Sequence, residues 1–453
     1  MKQWRVLAGV CGLVLLTACS GGGLDLIRSA PAARNLAIGD EPNAVLAGSA
    51  ILSEGGSAAD AATAIYFGLA VAYPVSAGLG GGGICLVHDP ATGRDEEFDF
   101  LARDAGGGGA FAVPGNVRGF AALQLAYGRL SWRRVIAQAE GYAAAGFPIS
   151  GALAKRLSAA SNVIRLDADL SAEFLDESGH VKPPGTMVSN RGLADTLAAI
   201  RTEGADALYS GSLAARIADY AASEGGTISA QELAAYLPVR RAPQAVQFGD
   251  RKILLPGKST GAGAFATALF ETLAQMQASA PQGSNTEAAV VSATKQALAN
   301  FGVANLPADL GATGFAATDS SGQAVACAVT MNGPFGSGHT VRETGVTLAA
   351  APSKSPAGLS AAFLTPVIAL DGSGSLSLVG SGAGGPVGTA SIADALARLA
   401  KGQVVTRRGK PGDGVATYDT MNAILCTLEA GCIALPDASG HGLGASTAPV
   451  GGT

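Results

Sequence analysis

Two polar side chains, Thr330 and Asn332, stand two residues apart at the end of a run of small and branched residues that begins at Ala324. Residues two apart on a strand point to the same face, so both can address one site. A hydroxyl beside an amide can orient a nucleophile or hold a polar ligand. The same pair can also simply satisfy backbone groups at a strand end. The run follows Asp319-Ser320-Ser321-Gly322, a turn-forming set. Before that turn, Gly311 to Thr318 reads as a first strand, and it carries a further hydroxyl, Thr313, next to Ala312. His88 and His339 have no serine or aspartate partner visible in the sequence and are not read as catalytic. No cysteine and histidine spacing suggests zinc, and no metal or cofactor is expected.

The elements that must position these groups are legible around them. Ser57-Ala58-Ala59-Asp60 opens an Ala-rich helix to about Val71, with Ser57 and Asp60 spaced as a capping box. Gly78 to Gly83 follows; it lacks the Lys and Ser/Thr of a phosphate-cradling loop and is not read as one. Ile84 to His88 and Glu96 to Leu101 flank Pro90-Ala91-Thr92-Gly93 as a β-hairpin. Helical periodicity marks Val117–Tyr127, Ser131–Ala145, Asn190–Glu203 and Gly211–Glu224. Strands return at Ala245–Phe248 and Lys252–Leu255, followed by a helix at Gly263–Met276 and a loop from Gln277 to Thr286. Strands at Phe363–Leu370 and Ser375–Val379 precede a glycine turn, Gly380 to Gly385, and a helix at Thr389–Leu399. Strands at both ends of a helical middle suggest sheets covered by helices.

The chain has 453 residues, 48% hydrophobic and 14% charged, which fits a large globular core rather than disorder. The net charge of −5 gives no basic footprint for nucleic acid. Lys2 and Arg5 precede a short apolar run, Val6 to Leu16, that is too short for a comfortable span and reads as a signal peptide. Leu16-Thr17-Ala18-Cys19 resembles a bacterial lipobox, which implies cleavage before Cys19, lipid on its sulfur and a tether to the membrane. By analogy with such lipoproteins, Ser20 favours the outer membrane, facing the periplasm; the alternative is an ordinary secretory signal with an incidental cysteine. Residues 1–18 are thus assigned to the signal, 19–36 to a tether and 446–453 to a disordered tail. Cys426 and Cys432 bracket a short loop that an exported chain can close as a disulfide. Cys85 and Cys327 lie in apolar strands and are expected to act as small buried hydrophobes.

Several blocks, in order, resemble the gamma-glutamyltranspeptidases: Gly55 to Ala62 with Gly78 to Gly83, Ala112-Val113-Pro114-Gly115, Gly146-Phe147-Pro148, Gly204 to Gly211, Gly225 to Ser229, Asp319 to Gly338 and Gly384-Gly385. The resemblance spans roughly 34–400. It implies an α+β fold, the N-terminal-nucleophile hydrolase four-layer αββα sandwich, with 37–311 as a large-subunit-like part and 312–445 as a small-subunit-like part. In that family a threonine freed by self-cleavage attacks the gamma-glutamyl carbonyl, with its own α-amine as base.

Position by position, the resemblance assigns Thr330 and Asn332 to orienting nucleophile and substrate. It assigns Gly384 and Gly385 to an oxyanion-binding turn. The nucleophile position itself is Ala312, which has no hydroxyl. Thr313, one residue late, is the candidate nucleophile, with cleavage after Ala312; a one-residue slip would turn it to the other face unless a bulge corrects it, leaving a strand-edge threonine. The family's carboxylate-gripping arginine is replaced by Leu101, with Arg103 as a candidate substitute or a solvated charge beside Asp104. Leu348 to Ala351 and Ala362-Phe363 replace further polar contacts. The expected function is that of an exported gamma-glutamyltransferase-like lipoprotein acting on small gamma-glutamyl or acyl amides such as glutathione, with impaired classical activity. The alternative is an uncleaved, non-enzymatic member that binds a ligand or partner in the envelope.

Overall fold

The computed structural model describes residues 35–279, 284–301, 306–354, 358–403, 405, 418–427, 431–437 and 439–447. Residues 1–34, among them the segment read as a signal and Cys19, and the last six residues lie outside them. Two large sheets form the centre. The first holds seven strands, in the order Leu443–Thr447, Asn35–Gly39, Ala312–Thr318, Ala324–Thr330, Gly82–Asp89, Arg94–Phe100 and Val239–Arg241. The second holds six, in the order Gly431–Leu435, Thr420–Thr427, Leu376–Ala383, Thr365–Leu370, Arg251–Leu255 and Gln244–Phe248. Both sheets combine strands from 37–311 with strands from 312–445, so neither part has a sheet of its own.

The strand period of two sorts side chains into layers. Along Ala312–Thr318, Phe315 and Ala317 join the core beneath the helices Pro42–Ser53 and Ala58–Ala72. Ala316 on the opposite face meets Leu86, Leu254 and Ile368 between the sheets. The second sheet buries its outer face against helices Gly261–Ala278, Thr286–Phe301 and Pro386–Ala400. Helix, sheet, sheet, helix is the expected αββα sandwich.

Local chemistry fixes the central helix. Ser57 Oγ and Asp60 form the capping box, and the Asp60 carboxylate also accepts from Arg129 N and Leu130 N. The first free amides of Ala58–Ala72 bond to Asp319 Oδ2 at 3.2 Å and Gln323 Oε1 at 3.0 Å. The turn between the two site strands is therefore tied directly to the helix that covers them.

Some expectations are revised. Cys85 and Cys327 are not independent hydrophobes: they sit opposite each other across Gly82–Asp89 and Ala324–Thr330 and form a buried disulfide. Cys426 and Cys432 form the second, as expected. The glycine turn after Ser375–Val379 is shorter than predicted, because Gly380 to Ala383 continue the strand against Met421 to Ala423 and Thr420. The chain end is ordered further than predicted: Ser446 pairs with Leu36, a residue placed in the tether by sequence. His88, read as lacking an acidic partner, pairs with Asp95 at 2.8 Å across the hairpin.

Glu41 caps Pro42–Ser53 from a fully buried position, accepting from Asn43 N at 3.1 Å, Asn43 Nδ2 at 2.7 Å and Ser150 Oγ. Burial outweighs these donors and pushes its carboxyl up to about 7. The unfolded chain ionises Glu41 from its ordinary range near 4.5, while the fold holds the proton to about 7. Its effect is a loss of about 3 kcal/mol of stability as pH rises through that window, complete above it. Glu173 is also raised to about 7 by burial, so the wild type should weaken for two reasons. Glu41→Gln isolates one of them. The variant's melting temperature relative to wild type should be more favourable at pH 8 than at pH 4.5, and pH-independent differences would refute the assignment.

Candidate functional site

The site strands begin side by side, with Ala312 opposite Thr330 and Thr330 opposite Gly82. The Ala312 methyl lies in a closed apolar cluster with Ile84, Ala262, Ala328, Leu364 and Ala383, and Leu101 packs against it. Nothing in this cluster can donate, accept or attack. Thr313 turns away from it, as the period of two requires. Its Oγ1 is buried and donates to Asp40 Oδ2 at 2.6 Å. No bulge interrupts the pairing of Ala312–Thr318 with Ala324–Thr330 that would rotate it back.

Asp40 follows the Asn35–Gly39 strand and had no signal in the sequence beyond its type. It accepts from Thr313, from Thr420 Oγ1 at 2.9 Å and from Asn422 Nδ2 at 2.7 Å. Asn422 Nδ2 also reaches Gly314 O at 2.9 Å. Burial raises the Asp40 carboxyl pKa, opposed by the Thr313 and Asn422 bonds.

The strand expected to run to Asn332 ends at Thr330, so the two residues are joined by a backbone bond beyond the strand rather than by a shared strand face, and their donors are used within the chain. Thr330 Oγ1 donates to Gly311 O at 2.9 Å and accepts from Asn332 N at 2.9 Å. Met331 N reaches the same Gly311 oxygen at 3.0 Å. Asn332 holds a left-handed φ of 60°, a conformation asparagine tolerates better than most residues, and its Nδ2 donates to Ala350 O at 2.8 Å. Gly311 has φ 61°, and a Cβ there would lie 2.0 Å from Gly333 backbone. Only glycine fits. The carbonyl just before Ala312 is thus held by a hydroxyl and an amide.

Gly384 and Gly385 follow Ala383 and lead into the helix Pro386–Ala400. Ala383 packs in the Ala312 cluster, so the turn stands next to the start of the site strand. Gly384 has φ 88°, and a Cβ on Gly385 would meet Asp419 Oδ1 at 2.2 Å.

The substrate-gripping groups are missing or elsewhere. Leu101 occupies the expected arginine position and packs on the apolar cluster. Arg103 is exposed, donates to Leu237 O at 3.0 Å and lies 4.5 Å from the Tyr236 ring centroid. It is not brought to Ala312. Ala349 and Phe363 are fully buried. One charged group near the strand was missed: Arg156, 2% exposed, donates from Nη2 to Asp309 Oδ1 at 2.5 Å and Ser76 Oγ at 2.8 Å, and from Nη1 to Ala312 O at 3.5 Å. No local pattern marks it, because its partners lie far away in sequence.

The layered sheets and a strand-start position flanked by a glycine turn define an N-terminal-nucleophile hydrolase fold. The gamma-glutamyltranspeptidase family model matches residues 44–302, and the chain belongs to that family. It is 29% identical over 272 residues to an acylase ACY 1 proenzyme of Pseudomonas sp. (strain SE83), covering 54% of this chain and 49% of the relative. It is 30% identical over 260 residues to a glutathione hydrolase proenzyme of Escherichia coli (strain K12), covering 52% and 44%. The matched part is thus about half the length of these curated relatives. A cephalosporin acylase structure from Bacillus halodurans superposes with a TM-score of 0.73 at 18% identity, covering 92% of this chain and 96% of that one, a likeness of fold.

Two substitutions test the geometry. Ala312→Thr puts a hydroxyl beside a carbonyl whose oxygen already receives two donors, so cleavage between 311 and 312 is expected by intact mass. Without reductant, the halves should stay joined through Cys85–Cys327. An uncut variant would show that the two donors are insufficient. Thr313→Val should leave cleavage behaviour unchanged and cost about 1–3 kcal/mol in urea unfolding, because Asp40 loses one of its donors. A neutral effect on stability would refute the Thr313–Asp40 bond.

Proposed function

We propose that this chain is an unprocessed, catalytically silent member of the gamma-glutamyltranspeptidase family that acts as a binding protein of the bacterial envelope. One observation carries the reading. The residue at the nucleophile position, Ala312, ends in a methyl group inside a closed apolar cluster, while the neighbouring hydroxyl of Thr313 is committed to Asp40. Acyl transfer by this family needs a threonine at a new N-terminus. Neither residue supports that step as it stands.

The substrate side points the same way. A site that discriminates through charge contacts loses affinity steeply when they are removed. Leu101 and the alanine run Ala349 to Ala351 offer no charge to a zwitterionic glutamyl group. The lipobox-like Leu16 to Cys19 supports export and lipid attachment at Cys19, with the folded part held at the outer membrane on the periplasmic side. Two disulfides suit an oxidising compartment.

The test is the intact mass, under denaturing and reducing conditions, of a secreted form starting after Cys19. A single uncut chain after long incubation, with no release of glutamate from glutathione above the buffer rate, is expected. A fragment starting at Thr313, together with turnover that Thr313→Ala abolishes, would replace this reading with a shifted-nucleophile amidase. Globomycin-sensitive processing and partition into detergent would support the lipid anchor, and an unlipidated secreted chain would remove it.

A further inference from the structure

Arg156 and its surroundings form a built carboxylate site. The guanidinium is almost wholly buried, with Ser76 Oγ beside it and the rings of Tyr73 and Tyr418 at 5.6 Å and 5.1 Å from its centre. Lys155, on the same helix, lies 5.4 Å from the Tyr418 ring centroid and donates to Ser439 O. Aromatic walls around a desolvated guanidinium strengthen its hold on a planar anion. The carboxylate found there is the chain's own Asp309, which reaches Arg156 through Oδ1 alone. Asp309 Oδ2 and Arg156 Nε are both buried and have no hydrogen-bond partner among the described residues. A guanidinium takes a carboxylate best through two parallel bonds. This pair makes an incomplete version, because Asp309 Oδ1 also accepts from Gly311 N at 2.8 Å.

Asp309 belongs to a short strap, Asp309-Leu310-Gly311, laid along the start of the site. Leu310 O accepts from Ser360 Oγ at 2.6 Å, and Gly311 O takes the Thr330 hydroxyl. The strap therefore occupies Thr330 and Arg156 together. Beside it, Ala308 is exposed and Tyr418 is only half-buried, so the Asp309 end faces the solvent edge.

We propose that the Arg156 pocket is a binding site for the carboxylate of a small acidic ligand, and that Asp309 fills it in the resting chain as an internal competitor. Ligand capture and release of the strap are then one event, and release frees the Thr330 hydroxyl for the remainder of the ligand. The inference rests on the reading above that the 311–312 bond stays intact, since a cut chain would release the strap without any ligand.

Acetate is the probe. Asp309→Ala leaves Arg156 buried without its partner, and its melting temperature should fall below that of the wild type. Sodium acetate should restore it saturably, while sodium chloride at equal ionic strength should not. Wild type should respond least, because Asp309 competes, and Arg156→Met in the Asp309→Ala background should abolish the response. Asp309→Asn, which keeps the shape and removes the charge, serves if the alanine variant does not fold. Its acetate binding is then read by line broadening of carbon-13 acetate, again with the Arg156→Met background as control. Equal responses to acetate and chloride, or an acetate response that survives Arg156→Met, would overturn the site. Intact mass of every sample separates this outcome from failure of the single-chain reading: a cut chain refutes that reading, and an uncut chain without acetate rescue refutes only the pocket.

Discussion

The buried carboxylate of Asp40 joins the two sheets at the point where chemistry would occur. It receives one hydroxyl from the first sheet, through Thr313, and a hydroxyl and an amide from the second, through Thr420 and Asn422. A carboxyl in this position is costly to leave bare, so its neighbours must supply donors continuously. That requirement fixes the Thr313 side chain. It also fixes the register at which Asn422 can reach both Asp40 and the Gly314 carbonyl. With Thr313 held on one face, Ala312 is held on the other, and the strand presents a methyl group to the space between the sheets.

The polar groups that remain nearby are absorbed in the same manner. Thr330 is spent on Gly311, Asn332 on Ala350 and Ser360 on Leu310. Each is a polar side chain closing a backbone carbonyl, which keeps those groups satisfied inside the fold. The glycines persist for a separate reason. Gly311 and Gly385 each stand where a Cβ would collide, with Gly333 backbone in one case and the Asp419 carboxylate in the other. Their presence is demanded by close approach of chain to chain, whether or not an oxyanion is ever formed.

The sequence revealed what is local. The Ser57–Asp60 capping box and the hairpin from Gly82 to Phe100 both depend on residues close to one another in the chain. Contacts between distant segments left no such mark. Cys85 and Cys327 are 242 residues apart, and their apolar flanks gave no hint that the strands they occupy are neighbours. Arg156 and Asp309 are 153 apart, and each alone looks like a surface charge in a helix or a loop. The helix Thr286–Phe301 was missed because its apolar residues are small and its start was taken for part of a polar loop. The strand Leu443–Thr447 was missed, with its end assigned to a tail, because Gly and Ser weaken a strand pattern whose support comes from pairing with Asn35–Gly39. The slip between Ala312 and Thr313 was legible as a question, and the uninterrupted ladder supplied the physical answer.

The changed residues around Ala312 are best understood together. An arginine in place of Leu101 would stand half-buried against an apolar cluster, and without a ligand carboxylate its charge would lack a partner. Polar groups in place of Ala349 or Phe363 would be fully buried and would need donors or acceptors that the packed neighbourhood does not offer. With a methyl group at 312 inside an apolar cluster, each of these charged or polar groups would be a liability to the fold unless a ligand satisfied it. Alanine, leucine and phenylalanine are what remain compatible with it. The exception is Arg156, whose charge is kept because Asp309 travels with it on the same chain. Asp40 likewise stays buried among donors of its own chain, so the ionisable groups that remain here are those whose partners are built into the fold.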